Sequence, residues 1–154
     1  MNKNTLEKLI WSIALPGFGQ ILNGRYFKGT VFLVLEFLIN IQANFNKAII
    51  YSFHDKIQQA IEVTDYQWLM FYPCLYFFSM WDAYKDAGGD KEPLSYLPFV
   101  FSAYSVTVGL VYSPTLTICG VLFGTVWLPI LFLPIGIFVG TVLKKVLIRI
   151  IKIP

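Results

Sequence analysis

Charged residues are scarce in this chain: Asp, Glu, Lys and Arg together supply 14% of its 154 residues. Soluble domains carry about 25%, so an ordinary water-facing surface is excluded for much of the polypeptide. Histidine occurs once, at His54, and cysteine twice, at Cys74 and Cys119, with no metal-ligand spacing among them. A zinc site and a disulfide framework are thereby unsupported, and the two cysteines, embedded in apolar runs, read as buried filler. No nucleophile motif, phosphate loop or dinucleotide fingerprint occurs. No enzyme class is indicated, and neither cofactor nor metal is expected. The net charge of +3 is spread through short loops and a tail rather than along a stripe with stacking aromatics, so nucleic acid is a poor partner.

What the chain has in abundance is apolar surface, 56% hydrophobic residues with 18% aromatics. A core of this size cannot hold it all, and lipid is the solvent that can. Charges fall in short clusters between apolar runs, the pattern expected when each run crosses about 30 Å of hydrocarbon. The fold class expected is an all-α polytopic membrane bundle of four to five spans in a single domain, multi-pass in a cell membrane. Residues 1–45 form an N-terminal helical hairpin, 46–65 an amphipathic interfacial helix, 66–143 the remaining spans and 144–154 a basic tail.

Asn4 and Glu7 have capping-box spacing, and a helix from Thr5 to Leu22 would run about 27 Å, bent at Pro16. The turn "NGRYFK", residues 23–28, is too short for anything but an antiparallel connection to the second segment, Gly29 to Phe45. That segment carries Glu36 near its middle, at a cost of roughly 2.5–3.5 kcal/mol on insertion scales. Gly29, Leu33, Glu36, Asn40 and Ala43 share one helical face. Across the turn, Glu36 is expected level with Leu15 and Pro16, Ser12 one helical turn further on, and Gln20 near Val31. Pro16, Gly17 and Gly19 would then free backbone carbonyls for polar side chains at the level of Glu36 and remove bulk where the two backbones meet. Ser12, Gln20, Glu36 and Asn40 thus make up a candidate intramembrane polar site. Glu36 reads either as a hydrogen-bonded carboxyl that fixes hairpin packing or as a proton or ion ligand.

"PGFGQILNGRYFKGTVFLVL" resembles the TM2 domain family, small membrane modules with a Gly-rich first span, a short charged turn and a second span. Gly17, Gly19, Gly24 and Gly29 match the glycine spacing, with Gln20, Tyr26 and Lys28 in compatible positions; the likeness covers about residues 9–45. The turn departs from the family pattern in lacking an acidic residue before Arg25. The resemblance implies a membrane location and a hairpin, and no catalytic residues.

Further along, residues 46–65 place Ile49, Phe53, Ile57 and Ile61 at helical spacing, opposite Lys56, Gln59 and Glu62. A third segment spans residues 66–84, stopped by Gly88 and Gly89. Asp82 and Asp86 at its end read either as a solvated helix terminus holding Lys85 and Arg25 or as a Mg²⁺ pair for a lipid phosphate. His54 reads as an interfacial polar residue. The fourth segment, about Leu94 to Ser113, sets Ser102, Ser105, Gly109 and Ser113 on one face, where backbones can approach closely. The run from Thr115 to Val142 would be about 42 Å if helical, expected as one tilted helix broken at Pro129 and Pro134 or a re-entrant pair. Gly120/Gly124 and Gly136/Gly140 repeat GxxxG, and these four glycines join Gly17, Gly19 and Gly29 as packing positions. Lys144, Lys145, Arg149 and Lys152 form a basic tail for anionic headgroups.

If every run crosses once and the tail is cytoplasmic, eight of the twelve cations lie inside. A re-entrant first segment would add the N-terminus to that side. The function expected is a non-enzymatic accessory or scaffold protein of a bacterial cytoplasmic membrane. It would bind other membrane proteins, or copies of itself, through small-residue faces. A small transporter or ion-conducting subunit using Glu36 is the alternative, and a Mg²⁺-dependent enzyme acting on lipid phosphate the third.

Overall fold

A computed structural model describes residues 3–151, the side chain of Asn4 excepted. Its elements are α1 (Lys3–Ala14), α2 (Phe18–Leu22), α3 (Tyr26–Gln42), α4 (Phe45–Phe53), α5 (Ile57–Val63), α6 (Tyr66–Leu69), α7 (Tyr72–Asp86), a 3₁₀ turn (Gly89–Lys91), α8 (Leu97–Tyr112), β1 (Thr117–Ile118), β2 (Val121–Leu122) and α9 (Gly124–Ile151). The chain is all-helical apart from the two-residue strands. Among the described residues one helix, α9, is long and apolar enough to cross a membrane, and α3 with α4 passes together, bent by 65° at the break between them. Only 28% of the most apolar stretch of α9 is buried, the reverse of a soluble core helix.

The first segment is not one continuous helix. Gly17 takes a φ of 103°, in the left-handed region that glycine tolerates, and the chain reverses there. Its close approach to Gly29 also excludes a side chain, since a Cβ on Gly17 would lie 2.5 Å from the Gly29 carbonyl. The helix expected from Thr5 to Leu22 is therefore two, α1 running in and α2 running back. A Cβ at Gly19 would collide with Ser12 and Ala83, so α1, α2 and α7 meet at that glycine. α1 is already helical at Lys3, which removes Asn4 from the cap position; its side chain lies outside the described set.

Contacts fix the direction of each later helix. Lys28 meets Asp82, Phe32 meets Phe78 and Glu36 meets Tyr72, so α3 and α7 are antiparallel. α8 and α9 run antiparallel through Gly109 at Pro129, Ser105 at Phe132, Ser102 at Gly136 and Leu97–Pro98 at Gly140. These close approaches fill the small-residue face of α8: Ser102, Ser105, Gly109 and Ser113 are all buried. The helix α9 continues through Pro129 and Pro134 and carries the basic tail as its last turns, instead of ending near Val142. Gly120 is not part of a helical GxxxG: with Cys119 it forms the left-handed turn of the β1–β2 hairpin. Gly124, at φ 69°, opens α9 against Ile57.

Residues 46–65 form two helices, not one, because His54, Asp55 and Lys56 make a turn with Asp55 at φ 61°. Ile57 and Ile61 face Gly124, Lys56, Gln59 and Glu62 are exposed, and exposed Phe53 lies against Trp127 at 4.8 Å between ring centres. Both cysteines are exposed, which corrects their reading as buried filler. Cys74 lies on the outer side of α7 and Cys119 at the hairpin tip, where neither meets a packed neighbour layer.

Two ends result. One gathers the start of α1, the 23–28 turn, the segment from Asp82 to Tyr96 and the last turns of α9, tied by Thr5 to the Ala87 carbonyl and by Lys144 to Glu92. The other gathers α4, α5, α6 and the β hairpin, tied by Tyr66 to Thr125 and by the Trp127 indole to the Ser52 carbonyl. Between them the outer surface is apolar, with Phe37, Phe78, Val100, Leu131, Ile135 and Phe138 all exposed.

Candidate functional site

The polar residues expected together around Glu36 divide into two clusters. Gln20 is fully buried, but it meets α7, where its amide donates to the Ser79 carbonyl at 2.7 Å and to Asp82 Oδ2 at 3.1 Å. Val31 is exposed on the far side. Because α2 returns toward the charged end, it carries Gln20 away from the level expected of a straight helix. Asn23 adds a bond to the Ala83 carbonyl at 2.8 Å. Lys28 Nζ lies 2.8 Å from Asp82 Oδ1 and 3.2 Å from Asp86 Oδ2, and Arg25 Nε lies 3.4 Å from Asp86. Asp82 is buried while both cations reach solvent. The cluster clamps the 23–28 turn onto α7. Its carboxylates are engaged by Lys28 and Arg25, and no group of three or more metal-ligating side chains occurs among the described residues. Arg25 is the partner the sequence suggested; Lys85 is not, because its ammonium sits over the Trp81 ring, 5.2 Å from the centre.

The second cluster lies about 12 Å deeper, eight residues along α3. Glu36 is buried, as the helical-face reading required, but its partner comes from α7: the Tyr72 hydroxyl donates to Oε1 at 3.0 Å. Oε2 is buried with no partner among the described residues. Tyr76 stacks on Tyr72 at 5.6 Å and donates its hydroxyl to the Ile13 carbonyl. That carbonyl is one of the unpaired acceptors at the end of α1. The break at Pro16 and Gly17 thus frees a backbone acceptor for a polar side chain, which Tyr76 of α7 supplies. Ser12 belongs to neither cluster; it is buried and donates to the Lys8 carbonyl at 2.9 Å. Asn40 is half-buried one turn beyond Glu36. A buried carboxyl with one donor and one open oxygen can hold a proton or accept a further donor.

On the tail, Lys144 donates to Glu92 Oε2 at 2.7 Å, and this hydrogen bond, aided by its charge, holds the Glu92 carboxyl below the ordinary glutamate range. Lys145 and Arg149 are exposed, free to meet headgroups, and Lys152 lies outside the described residues. Tyr72, Tyr76 and Trp81 escaped the sequence reading. The signal for the tyrosines was available, since a buried acid needs a donor and a Tyr pair four apart sits in the next apolar segment. No protein-family model, curated protein or solved structure matches the chain.

Proposed function

We propose that this chain is a polytopic membrane protein in which α3, α7, α8 and α9 cross and α1–α2 re-enters from the charged end. One observation carries the proposal: α9, long and apolar enough to cross, is mostly uncovered, and a belt of exposed Phe, Leu, Ile and Val separates two polar ends while carboxyls and amides face inward. Water would penalise that arrangement, and lipid rewards it. Of the eleven cations in the described residues, Lys47 and Lys56 lie at the hairpin end and the other nine at the charged end. The positive-inside rule then makes the charged end cytoplasmic, with both termini there. The likeness of residues 9–45 to TM2 modules supports the membrane location and the short turn between α2 and α3.

Within the membrane we assign it a non-enzymatic accessory role, as scaffold for partner proteins or copies of itself. The glycine and serine faces do not serve that role, because α8 and α9 consume them on each other. Partners meet the aliphatic and aromatic outer faces instead, and the exposed Lys145 and Arg149 meet anionic headgroups. Pull-down in mild detergent tests the assignment: a stoichiometric membrane partner or a defined oligomer is expected, and a lone monomer at every concentration refutes it. Tags on each terminus test the topology, because protease added to sealed right-side-out vesicles should reach neither.

A second reading has its own support. The open Oε2 of Glu36 in a buried setting suits a proton or ion ligand, and pH-driven flux in liposomes, abolished in Glu36→Gln, would establish transport in place of scaffolding.

A further inference from the structure

The helices α7 and α8 diverge along the outer surface, in contrast to the zipped pair α8–α9. Between them runs a groove of about 560 Å³. Cys74, Phe78 and Trp81 form one wall and Val100, Ala103 and Thr107 the other. Its walls are apolar along the length of the helices. The nearest charge, Lys85, stands at its charged end. There the Trp81 indole N–H is buried with no acceptor among the described residues, and the Lys85 ammonium lies over the same ring at 5.2 Å. Asp82 and Asp86, the acids nearest in sequence, are matched by Lys28 and Arg25, and Lys85 makes no salt bridge among the described residues. An unused cation and an unused donor therefore stand together at one mouth of an otherwise oily channel.

We propose that this groove binds one anionic phospholipid, its acyl chain along α7 and α8 and its headgroup at Lys85 with an ester or phosphate oxygen accepting from Trp81. A cation at one end of an apolar groove favours that occupant over a helix. A helix seated on Phe78, Trp81 and Val100 would leave the Trp81 N–H without an acceptor, whereas a lipid ester or phosphate oxygen supplies one. A basic residue beside an anionic headgroup is worth about a fivefold preference, and an unpaired buried donor adds selectivity for an acceptor at that depth.

The inference rests on the membrane reading above, and the test separates the two. Membranes bearing the full chain are washed with alkaline carbonate; the chain is then purified in mild detergent with phosphatidylglycerol or phosphatidylcholine and retained lipid is read by native mass spectrometry. Retention of one phosphatidylglycerol per chain, about fivefold over phosphatidylcholine, is expected. Ala103→Trp should fill the groove and lose both lipids, and Lys85→Gln, at an exposed position, should keep binding but lose the preference. If Ala103→Trp fails to fold, Lys85→Gln alone decides. Release by carbonate overturns the membrane reading and this inference together. A membrane-retained chain overturns the inference alone if it shows no preference, if Lys85→Gln leaves the preference unchanged, or if a folded Ala103→Trp still holds lipid. So does a second copy of the chain seated in the groove.

Discussion

Replacing Gly136 by alanine should push α8 and α9 apart. A Cβ there would lie 2.5 Å from the Phe101 carbonyl oxygen and 2.6 Å from Ser102 Cα, both backbone atoms that cannot rotate away. Ordinary contact begins near 3.4 Å, so the helices must separate by roughly 0.9 Å, judged against packing that forfeits much of its attraction over such a gap. Neighbouring approaches at Gly109 and Gly140 would loosen with it. Overpacking of this kind costs about 1–3 kcal/mol, while removing a helical glycine returns up to about 1 kcal/mol of propensity. The net expectation is a loss of about 0–2 kcal/mol for alanine, and more for Gly136→Leu, whose larger side chain adds to the overpacking. Unfolding by SDS titration from mild detergent micelles, followed by far-UV circular dichroism, measures it. Ile135→Ala, one residue away and 52% exposed, serves as control and should cost far less. A Gly136→Leu variant as stable as the parent refutes the close approach.

Tyr72→Phe removes the one donor to Glu36 and should destabilise by about 1–2 kcal/mol, the cost of an orphaned buried acceptor; the same titration reads it, and no loss means that the bond is not made. Lys28→Met should lower stability by about 1 kcal/mol, given its partial exposure, with the loss largely relieved in the Lys28→Met/Asp82→Asn double variant; equal losses in both would deny the pairing. Glu92, whose carboxyl is held down by Lys144, should contribute stability at neutral pH that fades as pH falls through its lowered pKa, below the ordinary glutamate range. Comparing Tm between pH 6 and pH 3 in the parent and Glu92→Gln isolates that contribution, which should shrink in high salt because Glu92 is 63% exposed.

The apolar segments were legible because their composition leaves them no other solvent, and the stripe Ser102–Ser105–Gly109–Ser113 correctly marked a close helix contact. What a one-dimensional pattern could not convey was the partner. The GxxxG at Gly136 and Gly140 reads the same whether it meets a foreign helix or α8 of its own chain, and only the short connection of residues 113–123 makes the internal partner win. The polar site was misplaced for a related reason. Gln20 and Glu36 are sixteen residues apart, and a straight helix through Pro16 puts them on facing helices at known levels. The reversal at Gly17 moves Gln20 to Asp82, leaving Glu36 to a tyrosine on α7. The break itself was visible in Pro16 and Gly17, whereas its angle depended on contacts about sixty residues downstream.

That distance imposes an order of events on a chain made from its N-terminus. The groups that hold α1 and α2 in place, the carbonyls of Ser79, Ala83 and Ala87, the Tyr76 hydroxyl and the Asp82 carboxyl, are not yet synthesised when α2 leaves the ribosome. The opening hairpin must wait, unanchored, until residues 72–87 have emerged, and so takes its seat only after α3 to α6, which follow it in the chain, have been made.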